Sequence, residues 1–412
     1  MIGTTFLLAQ LVLAPPCAAA VGGEGVRAIL DRAALEPEPS VAEVATRLAR
    51  LGSDAIPELF TVLALGPGED RALTELEQEA LIQALASFRT PALRAYFGER
   101  LASGLVIDER RALLSVLARV GSSADIPLAR SAAQAGSESA ALAPALEEAI
   151  ARFLRQDPLG MESVRGWILQ APPELGAALV RGASRSECPT VLSALVSLLG
   201  FDAALDRVLV PEIGRLVERA PKPIAEGVVS ALSELLAEDD PVLLREAALA
   251  LGKTEDFGAT SQVIDLLDHP ERGVRAGAAS ALERLTGLGF RERSARWRAW
   301  YRAEVAWLRE HGAELRSRLR STSTEVVVSA LGEISPHRFR RNELAAEIAV
   351  VLGHPDPLAR RLACLTLARL GTSAGLHGLV NALEDPDAEV QEAARAALRT
   401  LGIDPGVAGP AS

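Results

Sequence analysis

The sequence predicts an all-α protein in which short helical hairpins stack into a solenoid, and three observations lead to that fold class. Aromatic residues make up only 4% of the 412 residues while alanine and leucine dominate, which suits helices packed closely through small side chains. A helix–turn–helix unit recurs with a period of about 30 residues. Each unit carries one apolar stripe that a single hairpin cannot bury, so neighbouring units must stack.

The repeat is clearest in the last third of the chain, where three helices follow an Asp-Pro or His-Pro turn. These helices lie in HPERGVRAGAASALERLTG, HPDPLARRLACLTLARLGT and DPDAEVQEAARAALRTLGI. Apolar residues recur four, eight, twelve and fifteen positions after each proline, which places them on one helical face and predicts a buried core. They are Val274, Ala278, Leu282 and Leu285, then Ala359, Ala363, Leu367 and Leu370, then Val390, Ala394, Leu398 and Leu401. Gly371 and Gly402 come next, where a helix end favours a left-handed residue.

A second short apolar helix precedes each of these helices, and weaker copies of the pair extend upstream. We therefore predict eight to ten hairpins and the following organisation along the chain. Residues 1–20 form a signal peptide, and residues 21–40 form an N-terminal lead-in segment. Residues 41–288 form hairpin repeats, which are divergent in 137–238, and residues 289–320 form a Trp/Arg-rich helical insertion. Residues 321–402 form the C-terminal repeats, and residues 403–412 form a flexible tail.

The pattern DPDxxVxxAAxxALxxLG, from Asp385 to Gly402, resembles the bacterial HEAT repeat, the type also called PBS-lyase HEAT-like. The resemblance covers Asp239 to Gly402 and, in less detail, Val41 to Gly136. Leu285 to Tyr301 is similar to an insertion that follows a repeat in large bacterial HEAT proteins. The resemblance implies a right-handed α-solenoid of HEAT-like hairpins that binds other proteins. It implies no single activity, because such arrays serve many functions.

The segment GFRERSARWRAWYRAEVAWLREHG, Gly289 to Gly312, departs from the repeat and holds three of the four tryptophans. Arginines among aromatic residues can form a nucleic-acid or anion-binding surface, or they can lie on an amphipathic helix whose rings are buried. At 100° per residue, most arginines and the aromatic residues fall on different faces, which predicts a structural insertion. The aromatic arc holds Trp297, Trp300, Tyr301, Trp307 and Leu308, and the arginine arc holds Arg298, Arg302 and Arg309.

Two polar residues of this predicted helix have specific expected roles. Ser294 is expected to be its N-cap, because serine side chains accept hydrogen bonds from the first free backbone N–H groups. Glu304 falls inside the aromatic arc, so it requires either an arginine partner or a position at the rim of that arc.

No motif for catalysis or metal binding is evident, and we predict no cofactor. Gly252-Lys253-Thr254 resembles the end of a phosphate-binding loop, but the required earlier glycine is Ala247 and the preceding segment reads as a helix. His269 and His354 lie in turns before proline and are expected to cap those turns. Cys188 and Cys364 form no metal or disulfide pattern and are expected to be buried free thiols.

The N-terminus, MIGTTFLLAQLVLAPPCAAAVGG, resembles a secretory signal peptide. An apolar run, Phe6 to Ala14, precedes a possible cleavage site at Ala18-Ala19-Ala20. The run is too short to span a membrane, so the mature chain is predicted to have no transmembrane segment. Cys17 follows two prolines, which departs from the lipoprotein pattern. We predict export to the periplasm or beyond, with a cytoplasmic location if this segment is not a signal peptide.

The net charge of −11 disfavours nucleic acid as a partner, because an acidic chain repels phosphate backbones. Residues 289–320 are locally basic, with nine arginines and four glutamates giving +5 and leaving −16 elsewhere. A nucleic-acid-binding or anion-binding protein that uses the arginines of 289–341 therefore stays as an alternative. An enzyme of the bilin-lyase kind is a second alternative, suggested only by the repeat name.

The expected partner surface lies on the second helix of each hairpin, at positions six, nine and thirteen after the proline, opposite the apolar stripe. These positions hold Ala276, Ala279 and Glu283, then Arg361, Cys364 and Ala368, then Glu392, Arg395 and Arg399. The charged members, with Arg298 and Arg302 of the insertion, are the candidate partner-binding residues. We predict a monomeric, non-catalytic scaffold for an unidentified protein partner, located in the bacterial cell envelope.

Overall fold

The computed structural model describes residues 25–66, 72–88, 90–134, 136–222, 224–337 and 339–405. The predicted signal peptide and most of the predicted tail lie outside these residues. The described part of the chain forms 22 α-helices and contains no β-strand, which confirms the all-α prediction. The chain divides into two compact units, Met1–Arg152 and Phe153–Ser412, with the division inside one helix.

The helices have the following bounds. In the first unit they are α1 (Val26–Leu35), α2 (Val41–Ala49), α3 (Ile56–Leu65), α4 (Glu75–Ser87), α5 (Thr90–Ser103), α6 (Ile107–Val120), α7 (Ile126–Ala133) and α8 (Ala143–Gln156), the last of which contains the division. In the second unit they are α9 (Met161–Ile168), α10 (Pro173–Ser184), α11 (Val191–Val196), α12 (Ala203–Arg219), α13 (Glu226–Glu234), α14 (Pro241–Leu251), α15 (Thr260–Asp265), α16 (Arg272–Thr286), α17 (Ser294–Leu319), α18 (Thr324–Ile334), α19 (Arg341–Ala349), α20 (Pro357–Leu370), α21 (Leu376–Asn381) and α22 (Ala388–Thr400). Short 3-10 helices occur at Ser53–Ala55, Ser123–Asp125, Gly136–Leu142, Pro158–Gly160, Leu235–Ala237, Leu266–Asp268, Val350–Gly353, Ser373–Gly375 and Ala382–Glu384.

Hairpins stack on one another within each unit. In the first unit α2 packs on α4, and α4 packs on α6. In the second unit α10, α12, α14 and α16 form one row of packed second helices, and α18, α20 and α22 form another. Stacking of this kind buries the apolar stripe that one hairpin would expose, so each unit is solenoidal as predicted.

The predicted register is confirmed in the C-terminal repeats. Leu367 is 1% exposed and Leu398 is fully buried, as are their counterparts four positions earlier, Ala363 and Ala394. Leu401 is only partly buried, at the end of the last hairpin. These apolar side chains belong to one continuous cluster from α17 to α22, so the stripe is the core of that row.

Two residues predicted to face outward are buried instead. Ala279 is 6% exposed and Cys364 is fully buried. The reason is that a second helix in the row packs against a second helix on one or both sides as well as against its own hairpin partner, so its apolar arc is wider than one stripe. The separate prediction that Cys188 and Cys364 are buried free thiols is confirmed.

The turns between helices are held by their own polar side chains. The Nδ1 atoms of His269 and His354 accept hydrogen bonds from the backbone N–H groups of Glu271 and Asp356, both at 3.1 Å, which confirms turn capping. Gly371 ends α20 in the left-handed conformation, with φ of 63°. The turn residues thus set where each hairpin bends.

Gly252 belongs to a helix end and not to a phosphate-binding loop, as predicted. It caps the C-terminus of α14, and a Cβ atom at this position would lie 2.7 Å from the Cα of Ala281 in α16. The neighbouring Lys253 pairs with Glu218 at 3.2 Å. Glycine is therefore required here because α14 and α16 approach closely.

A buried ion pair joins the last two hairpins. The guanidinium of Arg360 donates to both carboxylate oxygens of Asp385 at 2.7 and 2.8 Å, and the two side chains are 11% and 7% exposed. Arg360 also donates to the carbonyl oxygens of His354 and Pro355. One arginine thus binds its own turn and the turn of the next hairpin.

Candidate partner-binding groove

The groove is built on α17, the 26-residue helix that falls within the predicted insertion. It packs against α15, α18 and α19. The two helices that flank it in sequence, α16 and α18, do not pack extensively against each other. Ser294 was predicted to be the N-cap of α17 but is its first residue, and Arg293 occupies the cap position. The Ser294 side chain forms a hydrogen bond with Asp268. This bond, together with Arg298, holds the pKa of Asp268 below its usual value.

The aromatic face of α17 is packed, as predicted. Trp297 is fully buried, and its indole N–H donates to the carbonyl oxygen of Arg291 at 2.7 Å. Its ring meets Phe290 and Trp300 edge to face, with centroids 4.8 and 5.7 Å apart. Farther along, Trp300 and Tyr301 contact the ring of Phe339 in the same way. The rings therefore anchor α17 to the segment before α19.

Glu304 is buried and meets neither expectation, because it has no arginine partner among the described residues and does not lie at the rim of the aromatic arc. One carboxylate oxygen lies 3.2 Å from Nδ1 of His337, and the other accepts from the backbone N–H of Phe339 at 3.3 Å. The His337 ring stacks on Trp307. The loop between α18 and α19 supplies these groups, and its position could not be derived from the helical pattern.

The two arginines of α17 that were chosen as candidate binding residues differ in their surroundings. Arg298 donates to Asp265 at 3.2 Å and pairs with Asp268 at 2.7 Å. These carboxylates, Asp268 first, raise the pKa of its guanidinium. Arg302 is exposed and forms no ion pair with the described residues. Of these two arginines, Arg302 is therefore the one that can bind a partner without breaking an ion pair with a described residue.

The other candidate residues do not converge on one site. Glu283 accepts from the backbone N–H of Arg291 at 3.1 Å, in the turn after α16. Arg361, on α20, pairs with Glu389. Glu392, on α22, lies 3.4 Å from Arg395 and 3.6 Å from Arg399. The candidate residues thus lie on three different helices, where Glu283 binds a backbone group and the others form small surface ion pairs on α20 and α22.

A groove of about 520 Å³ runs between α17 and the segment 334–347. Its floor is apolar and comes from both walls. The apolar lining residues are Tyr301, Val305, Leu308, Leu315, Leu319, Ile334, Phe339 and Leu344. Val305 is 37% exposed, whereas Leu315 and Leu319 belong to the buried core beneath. The groove thus offers apolar surface that the described part of the chain does not cover.

The two rims of the groove differ in charge. On the rim of residues 340–347, Arg340 pairs with Glu343 at 2.5 Å, and Glu347 pairs with Arg320 at 2.9 Å. On the α17 rim, Arg316 forms no ion pair with any described residue, and Arg309 reaches only its neighbour Glu310 at 3.6 Å. The α17 rim is therefore positively charged and largely without partners.

The search for sites by sequence motif missed this groove because its second wall comes from a different helix. The spacing of the arginines was a usable signal, since Arg302, Arg309 and Arg316 recur every seven residues.

Among the residues that the structure describes, no three acidic, histidine or cysteine side chains are grouped to hold a metal ion. None of the helices there is long and apolar enough to cross a bilayer.

Comparison with known proteins identifies part of the array. Residues 312–399, from the end of α17 into α22, match the family model of HEAT repeats. This part of the chain therefore carries HEAT repeats. No curated protein matches the sequence.

Solved structures show distant similarity to this chain, and three of them serve as examples. An engineered protein is 20% identical with a TM-score of 0.33, covering 92% of this chain and 99% of that one. Human deoxyhypusine hydroxylase in complex with glycerol is 16% identical with a TM-score of 0.26, covering 60% and 96%. Kap121p bound to Pho4p is 14% identical with a TM-score of 0.30, covering 92% and 50%.

Proposed function

We propose that this chain, which carries HEAT repeats in residues 312–399, is a non-catalytic scaffold that binds a protein partner in the groove beside α17. The observation that carries the proposal is the groove itself. Apolar surface that the described residues leave uncovered adjoins Arg316, which forms no ion pair with a described residue, and Arg309, which lies 3.6 Å from its neighbour Glu310. Apolar contacts supply affinity in such a groove, and the charged rim sets orientation and specificity.

The lining of the groove supports binding more than catalysis. Among the described residues that line it there is no histidine, cysteine or serine. Its two carboxylates, Glu343 and Glu347, are each paired with an arginine. A site for general acid–base or nucleophilic chemistry would need titratable groups that converge on one point, whereas here the charged groups stand on opposite rims.

Site-specific photo-crosslinking in the native host tests the proposal. A photoreactive amino acid at Ala313, which lines the groove, should give a discrete adduct with another protein. The matched control is Ala303, an exposed alanine of the same helix that does not line the groove. Adducts of equal pattern from both positions, or none from Ala313, would rule out the groove as the partner site.

The proposal also places the scaffold in the bacterial cell envelope. It rests on the apolar run Phe6 to Ala14 and the small residues Ala18 to Ala20, which precede the described residues. N-terminal sequencing of protein from the envelope fraction should begin near Val21. Cytoplasmic protein that keeps Met1 and has no processed counterpart would contradict this location.

A further inference from the structure

Three arginines of α17 recur at a constant spacing, and the last two of them, Arg309 and Arg316, line the groove. Arg302, Arg309 and Arg316 are seven residues apart, so they lie on one face at intervals of about 10.5 Å along the helix axis. All three are exposed, and the side chain of Arg309 is 76% exposed. Arg298, one turn before Arg302, is neutralised by Asp268 and Asp265. In the row itself, Arg302 and Arg316 form no ion pair with a described residue, and Arg309 lies 3.6 Å from its neighbour Glu310.

The apolar floor follows the same repeat. Leu308 and Leu315 are also seven residues apart, and both line the groove together with the 37% exposed Val305. A groove in which apolar and charged positions both repeat every seven residues matches another α-helix laid along it, because a helix presents equivalent side chains every two turns. An extended peptide would advance about 3.3 Å per residue and would not keep this register.

The charges favour carboxylates over phosphates as the groups that meet the row. Glu343 and Glu347 stand on the opposite rim, within their ion pairs, and the whole chain carries a net charge of −11. Both features repel a phosphate backbone, which carries a charge on every nucleotide. A partner helix can instead place acidic side chains only on the arginine side and neutral side chains towards Glu343. Guanidinium groups pair with carboxylates in a planar, two-bond geometry.

We infer that the groove binds an amphipathic helix of the partner protein that has an apolar face flanked by acidic residues spaced seven apart. This inference rests on the proposed function and names the chemistry of the partner at the same site. The bound segment would span the three arginines, a length of about 21 Å, so it would contain about 15 to 18 residues.

Three synthetic helical peptides test the inference with the full chain. All have 18 residues and one leucine face, and they differ only in the row beside it, which holds Glu, Gln or Lys. In fluorescence anisotropy titrations at low salt, we expect the Glu peptide to bind at least about tenfold more tightly than the Gln peptide, with the difference reduced at high salt. The Lys peptide should bind least.

Charge reversal in the row is the decisive variant. Arg309→Glu/Arg316→Glu should weaken binding of the Glu peptide by about tenfold or more and strengthen binding of the Lys peptide. The control Arg293→Glu/Arg296→Glu makes the same change in net charge at exposed residues that do not line the groove, and should leave both affinities unchanged. Circular dichroism melting of each variant identifies any loss of fold.

Several outcomes would overturn the inference. These are equal affinity for the Glu and Gln peptides, no binding of any peptide, or equal loss of binding in the control variant. Tighter binding of a DNA duplex than of the Glu peptide, lost on reversal of Arg309 and Arg316, would identify a nucleic-acid surface. If a protein crosslinks at Ala313 but the Glu peptide does not bind, the proposed scaffold function stands and the inference of an acidic partner helix is wrong. Absence of that crosslink would reject the scaffold itself.

Discussion

At the scale of single residues, the same side chain serves different purposes according to what distant segments bring to it. Arg298 and Arg302 are one helical turn apart on α17, yet Asp265 and Asp268 neutralise the first and leave the second free. Glu304 is buried between His337 and the backbone of Phe339. These partners lie roughly 30 positions away in sequence, so helical periodicity alone cannot assign them.

The buried thiol of Cys364 should be chemically inert in the folded chain. Burial raises its pKa to about 12, and the thiolate is the form that reacts with alkylating agents. We expect iodoacetamide at pH 8 to modify Cys364 orders of magnitude more slowly in native than in denatured protein, as measured by mass spectrometry of its peptide. Leu365→Cys, at a neighbouring position that is 43% exposed, is the control and should react rapidly. Equal native rates at the two positions would contradict the burial of Cys364.

The Arg360–Asp385 pair should be one of the costliest polar contacts to break. Arg360→Ala would leave the Asp385 carboxylate, 7% exposed, without its partner, and we expect a loss of about 3–5 kcal/mol in unfolding free energy. Arg361→Ala is the matched control, because Arg361 pairs with the exposed Glu389 and such a pair contributes about 0–1 kcal/mol. Urea denaturation measures both variants. Similar losses in both variants would mean that the buried pair contributes no more to the free energy of unfolding than the exposed one.

The same pair predicts a pH dependence. The hydrogen bonds from Arg360 hold the pKa of Asp385 below its usual value, so the ionised form is favoured in the folded state. Its contribution to stability is therefore present above the unfolded pKa of about 3.9 and is lost as the pH falls through the lower folded value. The stability difference between the wild type and Asp385→Asn should shrink below about pH 4. A difference that stays constant from neutral pH to pH 3 would refute this.

At the scale of helices and turns, local patterns predicted most of the fold. The stripe that contains Leu367 and Leu398 and the histidine-capped turns depend on residues within one hairpin, and the structure confirms them. The groove depends on two walls that belong to α17 and to residues 334–347, which only tertiary packing brings together. The burial of Ala279, which was predicted to face outward, likewise follows from neighbouring hairpins. Sequence reasoning succeeded where the cause was local and failed where another hairpin supplied it.

The tryptophans of α17 should differ in their contribution to stability. Trp297 is fully buried, whereas Trp300 is only partly buried, so Trp297→Ala should cost about 3–5 kcal/mol and Trp300→Ala less. Arg302→Ala, at an exposed residue of the same helix, should change stability by at most about 0.5 kcal/mol. Thermal melting of the three variants gives the order. A larger loss for Trp300→Ala would contradict the order expected from burial, and an equal loss for Arg302→Ala would show that the aromatic face does not anchor α17.

At the scale of the whole molecule, stability should be distributed along rows of packed helices. Each second helix packs mainly on the next, as α20 does on α22, and the second unit contains two such rows. The helix α17 lies in sequence between the row that ends at α16 and the row that begins at α18. In an array built from nearest-neighbour contacts, damage to one hairpin is felt mostly by the hairpins adjacent to it.

Truncation of the core leucines tests this view of the array. Leu367→Ala and Leu398→Ala each remove a buried side chain and should cost about 2–5 kcal/mol. Because the contacts are between neighbours, native-state hydrogen exchange should accelerate in α18 to α22 and stay unchanged in α10 to α16. Leu365→Ala, at a 43% exposed position of α20, is the control and should leave exchange unaltered. Unchanged exchange in both core variants would mean that the repeat register is wrong. Acceleration of equal size throughout the chain would mean that the array unfolds as one cooperative body.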